Sequence, residues 1–159
     1  MTPDRPVRMP WLQLWFSFRG RATRFDYWVR FALIEFAIVM LMAVLGFVIA
    51  TVTHRGEFMF LVPITQILMI YPATAVLVKR CHDRDRSGWF LLWYAIPALL
   101  SAFASWVAPQ FDLEREIQEG AEFVFGWLSV AAGVWLFIAL GTRRGTIGPN
   151  RYGPDPLGS

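Results

Sequence analysis

Between Val78 and Trp89 the chain reads Val-Lys-Arg-Cys-His-Asp-Arg-Asp-Arg-Ser-Gly-Trp, a charged hinge between two long apolar runs. Its residue types suit several chemistries. Arg80, Arg84 and Arg86, beside a helix start that Ser87 would cap and Gly88 would let turn tightly, make an anion site, because guanidinium groups and the positive end of a helix both attract phosphate. Cys81, His82, Asp83 and Asp85 are metal-ligand types, yet neighbours in sequence rarely converge on one ion and no paired Cys or His stands elsewhere at metal spacing. Neither a metal nor a cofactor is therefore expected. Ser87 as a nucleophile with His82 as its base lacks any accompanying nucleophile elbow or oxyanion motif. The plainest alternative is a self-satisfied polar cap, in which Asp83 and Asp85 answer the arginines and His82 bridges carboxylate and backbone.

The elements that must position these groups belong to a membrane. The chain has 159 residues, 56% of them hydrophobic and only 17% charged, and a water-soluble domain needs more charge to cover its surface. Four apolar runs, at residues 31–53, 58–78, 89–108 and 123–140, approach the roughly 20 residues that a helix needs to cross the hydrocarbon core. Their short linkers predict an all-α integral membrane protein, a single domain over the whole chain whose four transmembrane helices form an antiparallel bundle. The first apolar run starts too late and continues too far for a signal peptide, so no removal is expected. Cys81 is the single cysteine, which excludes an intramolecular disulfide and leaves packing to hold the fold. Ahead of the first run, Trp11 to Phe18 is too short to span but rich in rings. It reads as an interfacial segment lying on the membrane, or alternatively as an aromatic plug packed against neighbouring loops.

Lysine and arginine are retained on the cytoplasmic side during insertion. With four spans, both termini and the hinge share one face, and all but Arg55 and Arg115 of the 15 basic residues fall there. Both termini are accordingly expected in the cytoplasm, with the acidic linker 109–122 outside. Within the spans, Glu35 and Gln66 are the polar residues of interest, since an intramembrane carboxylate is costly unless paired or protonated. A salt bridge to a basic residue on another span is the structural alternative for Glu35. Pro63, Pro72 and Pro97 are candidate kink sites, and Ser129 with Gly133 has the small-residue spacing that lets helices approach closely.

This topology gathers three stretches on the cytoplasmic face, residues 18–28, 79–88 and 145–156. The first carries Gly20, Arg21 and Arg24, the second His82 and Asp83, and the third Asn150, Arg151 and Tyr152. Together they compose the expected polar cap, with the glycines allowing close approach. Their wording, F-x-G-R-x-x-R-x-x-Y-W from Phe18, R-x-H-D-x-x-x-S-G-W from Arg80 and G-x-N-R-Y-G-P-D-P from Gly148, resembles a family of small bacterial inner-membrane proteins, domain of unknown function 805. The resemblance runs from about Phe18 to Pro156. It implies a multi-spanning protein of the bacterial inner membrane and supplies no activity.

Function must then be argued from the residues. The leading expectation is a non-enzymatic membrane protein whose cytoplasmic cap binds acidic lipid headgroups or a protein partner, a second copy of the chain included. The basic cluster is accounted for by topology, so no nucleic-acid partner is expected. A small transporter or channel component using Glu35 and Gln66 is the alternative, and an enzyme on a lipid or phosphorylated substrate is the third reading. The charge division predicts that, in a Cys81→Ser background, single cysteines at Arg19 and Leu157 react with a labelling reagent only after permeabilisation. One at Arg115 should react from outside; the reverse pattern would overturn the orientation.

Overall fold

The computed structural model describes residues 9–54, 60–106, 108–111 and 115–158. Among them the regular structure is helical apart from one bridge pairing Asn150 with Gly153. Four helices are long and apolar enough to cross a membrane: Arg24–Thr53, Leu61–Asp83, Gly88–Ser105 and Arg115–Thr142. No more than 22% of the apolar window of any of them is buried. Faces that long and apolar suit hydrocarbon as their solvent. The chain divides into two compact units, one of Met1–Arg86 with Arg144–Ser159 and one of Ser87–Arg143.

In the first unit a short helix, α1 (Trp11–Phe16), precedes a long helix built from α2 (Arg24–Tyr27), a widened π-helical turn (Trp28–Ala32) and α3 (Leu33–Thr53). The long helix starts at Arg24 and not near Phe31 because Thr23 and Asp26 form a capping box. Thr23 Oγ1 accepts from the Asp26 amide and Asp26 Oδ2 accepts from the Thr23 amide, both at 3.1 Å. The other Asp26 oxygen takes Arg30 Nη1 at 2.7 Å, so the first charged turns are satisfied locally and lie buried. Arg30 also lies over the Trp11 ring, 4.3 Å from its centroid, and its carbonyl accepts the Trp15 indole N–H at 3.2 Å.

Helix α4 (Leu61–Asp83) runs past residue 78 and draws Lys79 and Arg80 inside. It ends in a Schellman turn, with Arg86 N–H donating to Cys81 O at 2.9 Å and Asp85 N–H to His82 O at 3.0 Å. Asp85 occupies the left-handed position usually given to glycine, at φ 54°. Pro63 and Pro72 lie within α4, where Thr65 and Thr74 hydroxyls donate to carbonyls four residues back.

Helix α1 rests on both long helices. Leu14, Ala22, Phe31 and Val76 form a buried cluster, with the Trp15 ring edge-on to Phe31 at 5.5 Å. The opposite face of α1, with Trp11, Leu12 and Phe16, is exposed. Lys79 fixes its end: the ammonium donates to the carbonyls of Gln13 at 2.7 Å, Ser17 at 2.5 Å and Leu14. The last carbonyls of a helix lack internal donors, and here one lysine supplies three.

The second unit contains α5 (Leu92–Trp106) and α6 (Arg115–Leu136), which pack on each other. Ser87 caps the 3₁₀ turn Gly88–Leu91 that leads into α5, its hydroxyl accepting from the Trp89 amide. Gly133 lets α6 approach Tyr94, whose ring carbon would sit 3.5 Å from an added Cβ, and Phe90 meets Trp135 at 4.9 Å. The acid-rich stretch after Arg115, expected as linker, is helical. Glu116 suits the positive end of α6, and Arg115 pairs with Glu119 at 2.7 Å on the exposed surface. Arg55, Asp112 and Glu114 lie outside the described residues.

Lys79→Met should keep the length of the side chain while removing the ammonium donor from the carbonyls of Leu14 and Ser17; the Gln13 carbonyl keeps the Ser17 amide at 3.2 Å. With unmet buried polar groups costing about 1–3 kcal/mol each, steric-trapping measurements should find the variant less stable by several kcal/mol. Unchanged stability would mean that the lysine is not what holds α1.

Candidate functional site

The first unit gathers residues of all three polar motifs around the end of α4. Asp83 is at the centre, a buried carboxylate with Arg21 Nε 3.1 Å from Oδ1 and Arg80 bonded to Oδ2. Both arginines are buried as well, Arg80 completely. Such a triad is costly to desolvate and holds only when its remaining donors find acceptors. They do so on the backbone. Arg21 donates to the carbonyls of Thr146 at 2.5 Å and Gly148 at 2.7 Å, while Arg80 reaches Ala22 O at 3.4 Å. Arg21 thereby holds the C-terminal segment, and Arg80 the segment before α2.

Further bonds close the same joint. Thr146 places its amide 2.8 Å and its hydroxyl 3.0 Å from Asp83 O, so the carbonyl end of α4 receives two donors from the tail. Asn150 Nδ2 donates to His82 O at 2.9 Å and to Thr146 Oγ1 at 3.0 Å. His82 Nδ1 lies 3.2 Å from Gly20 O. A carbonyl only accepts, so Nδ1 carries a proton in this arrangement. The Tyr152 ring stacks on the imidazole at 3.8 Å with the planes 5° apart. Arg151 reaches back to Asp85, 3.1 Å from its carboxylate and 2.6 Å from its carbonyl.

Two glycines show why these positions tolerate little else. Gly20 turns the chain at φ +92°, in the left-handed region. Gly145 lies against the buried carboxylate: an added Cβ would stand 2.6 Å from Asp83 Oδ1 and nearer still to Cγ and Oδ2. The tail past it folds on itself, with Asn150 and Gly153 exchanging backbone bonds and Tyr152 N–H donating to Asn150 Oδ1 at 2.9 Å. Asp155 accepts from the amides of Leu157 at 3.0 Å and Gly148 at 2.9 Å. Those N–H groups, Leu157 first, hold its carboxyl below the usual aspartate range.

The expected site residues thus fall into separate groups. Gly20, Arg21, Arg80, His82, Asp83, Asn150, Arg151 and Tyr152 meet in the joint, whereas Arg24 and Arg86 are exposed and Arg84 is half-buried at the end of α4. Ser87 and Gly88 open the second unit. Glu35 is half-buried on α3 and Gln66 exposed on α4, where Thr65 is buried and bonded to Leu61 O. Among the described residues no three His, Cys, Asp or Glu side chains gather as a metal site requires. Sequence reasoning passed over Lys79 and Thr146 as functional members of the joint. The Thr23 to Asp26 capping pattern was legible but not singled out.

If Gly145 is needed to clear a carboxylate that two arginines hold in place, Gly145→Ala should destabilise the protein by about 2 kcal/mol or more. Gly126→Ala, on a helix face where an added methyl meets nothing within 4 Å, should be neutral or slightly stabilising. Thermal unfolding of both variants in one detergent gives the comparison. Equal shifts would remove Gly145 from its role.

Comparison with known proteins agrees with this assembly of motifs. A family model described as protein of unknown function (DUF805) matches residues 15–154. Inner membrane protein YhaH of Escherichia coli strain K12 is 30% identical over 145 residues, covering 91% of each chain. Uncharacterized protein YiiR of the same strain is 28% identical over 157 residues, covering 91% of this chain and 89% of its own. Inner membrane protein YhaI is 26% identical over 145 residues, covering 91% and 90%. No solved structure matches. The matched span takes in the first two motifs and the third as far as Pro154, and on that ground the chain belongs to the DUF805 family.

Proposed function

We propose that the protein is a non-enzymatic component of the bacterial inner membrane, its four long helices spanning the bilayer as an antiparallel bundle with both termini in the cytoplasm. In this reading the joint is a structural clasp and its basic rim is a landing surface for acidic lipid headgroups. The observation that carries the proposal is how the polar groups are used. Arg21, Arg80, His82, Asp83, Thr146 and Asn150 are bonded to one another and to backbone carbonyls, which leaves no pair arranged as nucleophile and base. Exposed arginines of the same unit accompany them, Arg24, Arg86 and Arg144 among them. Basic residues at that height attract anionic headgroups by about 1 kcal/mol each. Helix α1, apolar on its outer face and fastened by Lys79 on the inner, would lie in the same interfacial layer.

A transporter or channel component is the second reading. What favours it is Glu35, a half-buried carboxylate on α3 that makes no hydrogen bond or ion pair with a described residue. Ion flux in proteoliposomes that is lost in Glu35→Gln would select it over the clasp.

For the leading reading, native mass spectrometry from mixed phosphatidylglycerol and phosphatidylcholine nanodiscs should show phosphatidylglycerol retained preferentially. Replacing Arg84 and Arg86 with Gln should weaken the preference several-fold. A wild-type protein that retains both lipids in the proportion supplied would reject headgroup binding.

A further inference from the structure

Helix α1 does not run level across the ends of the long helices; it descends along them. Its first residue, Trp11, has its ring against the Arg30 guanidinium, which reaches back one turn to the Asp26 carboxylate. Four residues later the Trp15 indole donates to the Arg30 carbonyl and its ring meets Phe31, further along the same helix. Helix α4 gives the same direction. Tyr71 Oη donates to the Phe16 carbonyl at 3.1 Å, and Lys79 Nζ to the Ser17 carbonyl at 2.5 Å. Those two donors belong to residues about 12 Å apart along α4, so the end of α1 lies between their heights. The chain then climbs back. Gly20 O meets His82 Nδ1 at 3.2 Å, and the Ala22 amide donates to Lys79 O at 3.2 Å, both in the last turns of α4. We propose that residues 10–22 are a re-entrant hairpin whose tip, residues 16–18, is seated among the acyl chains of the leaflet on the side of the polar motifs. The proposal rests on the reading of α3 and α4 as spanning helices, and it places the tip deeper than the interfacial layer assigned to α1 as a whole.

Hydrocarbon admits irregular backbone only where its polar groups are answered from the protein. The carbonyls of Gln13, Leu14 and Ser17 are taken by Lys79 and that of Phe16 by Tyr71. The amide of Ser17 donates to Gln13 O at 3.2 Å and that of Arg19 to Ser17 Oγ at 3.1 Å. A segment lying in water would have solvent for these carbonyls; here an ammonium and a phenol are brought from α4 for them. The outer surface meets the second requirement, that it be apolar and continuous with the span. Phe16, Phe18 and Tyr71 are all exposed and form one aromatic surface, Phe16 stacked on Tyr71 at 6.3 Å and Phe18 edge-on to it at 5.3 Å. Tyr71 lies near the middle of α4, one turn from exposed Ile67 and Leu68 on the same side of the helix. Whatever solvates that side of the span therefore solvates the two phenylalanines with it. Gln13, the only polar residue of α1, stands nearer its start than Phe16, and Arg19, past the tip, is exposed where the chain returns towards the polar motifs.

The test uses the full-length protein in liposomes of phosphatidylcholine, a neutral lipid that makes the result independent of acidic headgroup binding. Leu12→Cys, Phe16→Cys, Arg19→Cys and, within α3, Leu41→Cys are made singly in a Cys81→Ser background and spin-labelled; all four native side chains are exposed. Collision with oxygen, which concentrates in hydrocarbon, is compared with collision with a water-soluble nickel chelate. The oxygen-to-nickel ratio at Phe16 should approach that at Leu41 and exceed that at Arg19 several-fold, with Leu12 between. Wild-type protein gives a second reading without substitution: phosphatidylcholine carrying a diazirine in mid acyl chain should crosslink to residues 16–18 of tryptic peptide 9–19. A ratio at Phe16 as low as at Arg19, with Leu41 still in hydrocarbon, would put the segment at the surface and overturn the hairpin while leaving the spans intact. A Phe16 label shielded from both reagents would mean that protein covers this face, and would overturn it equally. A low ratio at Leu41 would reject the spanning reading itself and the hairpin with it. Should the cysteine variants fail to fold, the crosslink decides alone, and its absence from residues 16–18 while α3 is labelled would overturn the proposal.

Discussion

A carboxylate taken out of water must have its lone pairs matched, and Asp83 achieves this with a buried arginine on each oxygen. Removing one partner of such a set leaves an uncompensated charge and costs about 3–5 kcal/mol. The rest of the first unit is arranged so that none of these groups is left unmatched. Each arginine has donors to spare, and each spends them on a different piece of backbone, Arg21 on the C-terminal segment and Arg80 on the turn before α2. One buried charge thereby fixes where two distant segments lie against the end of α4. No buried side-chain nitrogen or oxygen among the described residues lacks a partner, as a low-dielectric site demands.

The same economy of carbonyls and cations recurs one turn earlier on α4. Lys79 reaches the end of α1 as Arg80 reaches the turn at Ala22, and the Ala22 amide returns a bond to Lys79 O at 3.2 Å. Neighbouring basic residues on a helix point about 100° apart, so the pair can serve two different segments. A helix as short as α1 would be marginal alone. Here its inner face is held by the Leu14 cluster and its last carbonyls by an ammonium, and the outer face is free to remain apolar. That combination gives a short element a defined orientation against the two long helices.

The clasp also joins residues on either side of the Ser87–Arg143 unit. Thr146 bonds to Asp83, and Asn150 to His82. Closing a loop that long costs chain entropy, but the cost grows only slowly with length. Several bonds made together at one joint can offset it. Used this way, His82, Asp83, Arg21 and Arg80 are committed to holding chain segments together.

Much of the architecture can be read from the chain alone, because length and hydropathy are local properties. The apolar runs 31–53 and 123–140 lie within long helices and the other two overlap theirs over 61–78 and 89–105, while the three polar motifs lie at helix ends or beyond them. The span boundaries moved for local reasons as well: the Thr23 to Asp26 capping box lengthens the first helix, and Glu116 in its first turn suits the start of α6 at Arg115. The partners could not be read. Arg21, Arg24, Arg80, Arg84 and Arg86 are alike in composition and setting, yet two are buried against Asp83 while Arg24 and Arg86 are exposed. That distinction depends on carbonyls and carboxylates as far as 132 residues away along the chain. Gly145 looks like any loop glycine until the tertiary fold brings the Asp83 carboxylate against it, and Lys79 looks like a topology signal until α1 settles on α4. Local pattern determines which segments become helices and where the basic residues cluster; only the packed structure decides which charges neutralise one another and which stay exposed.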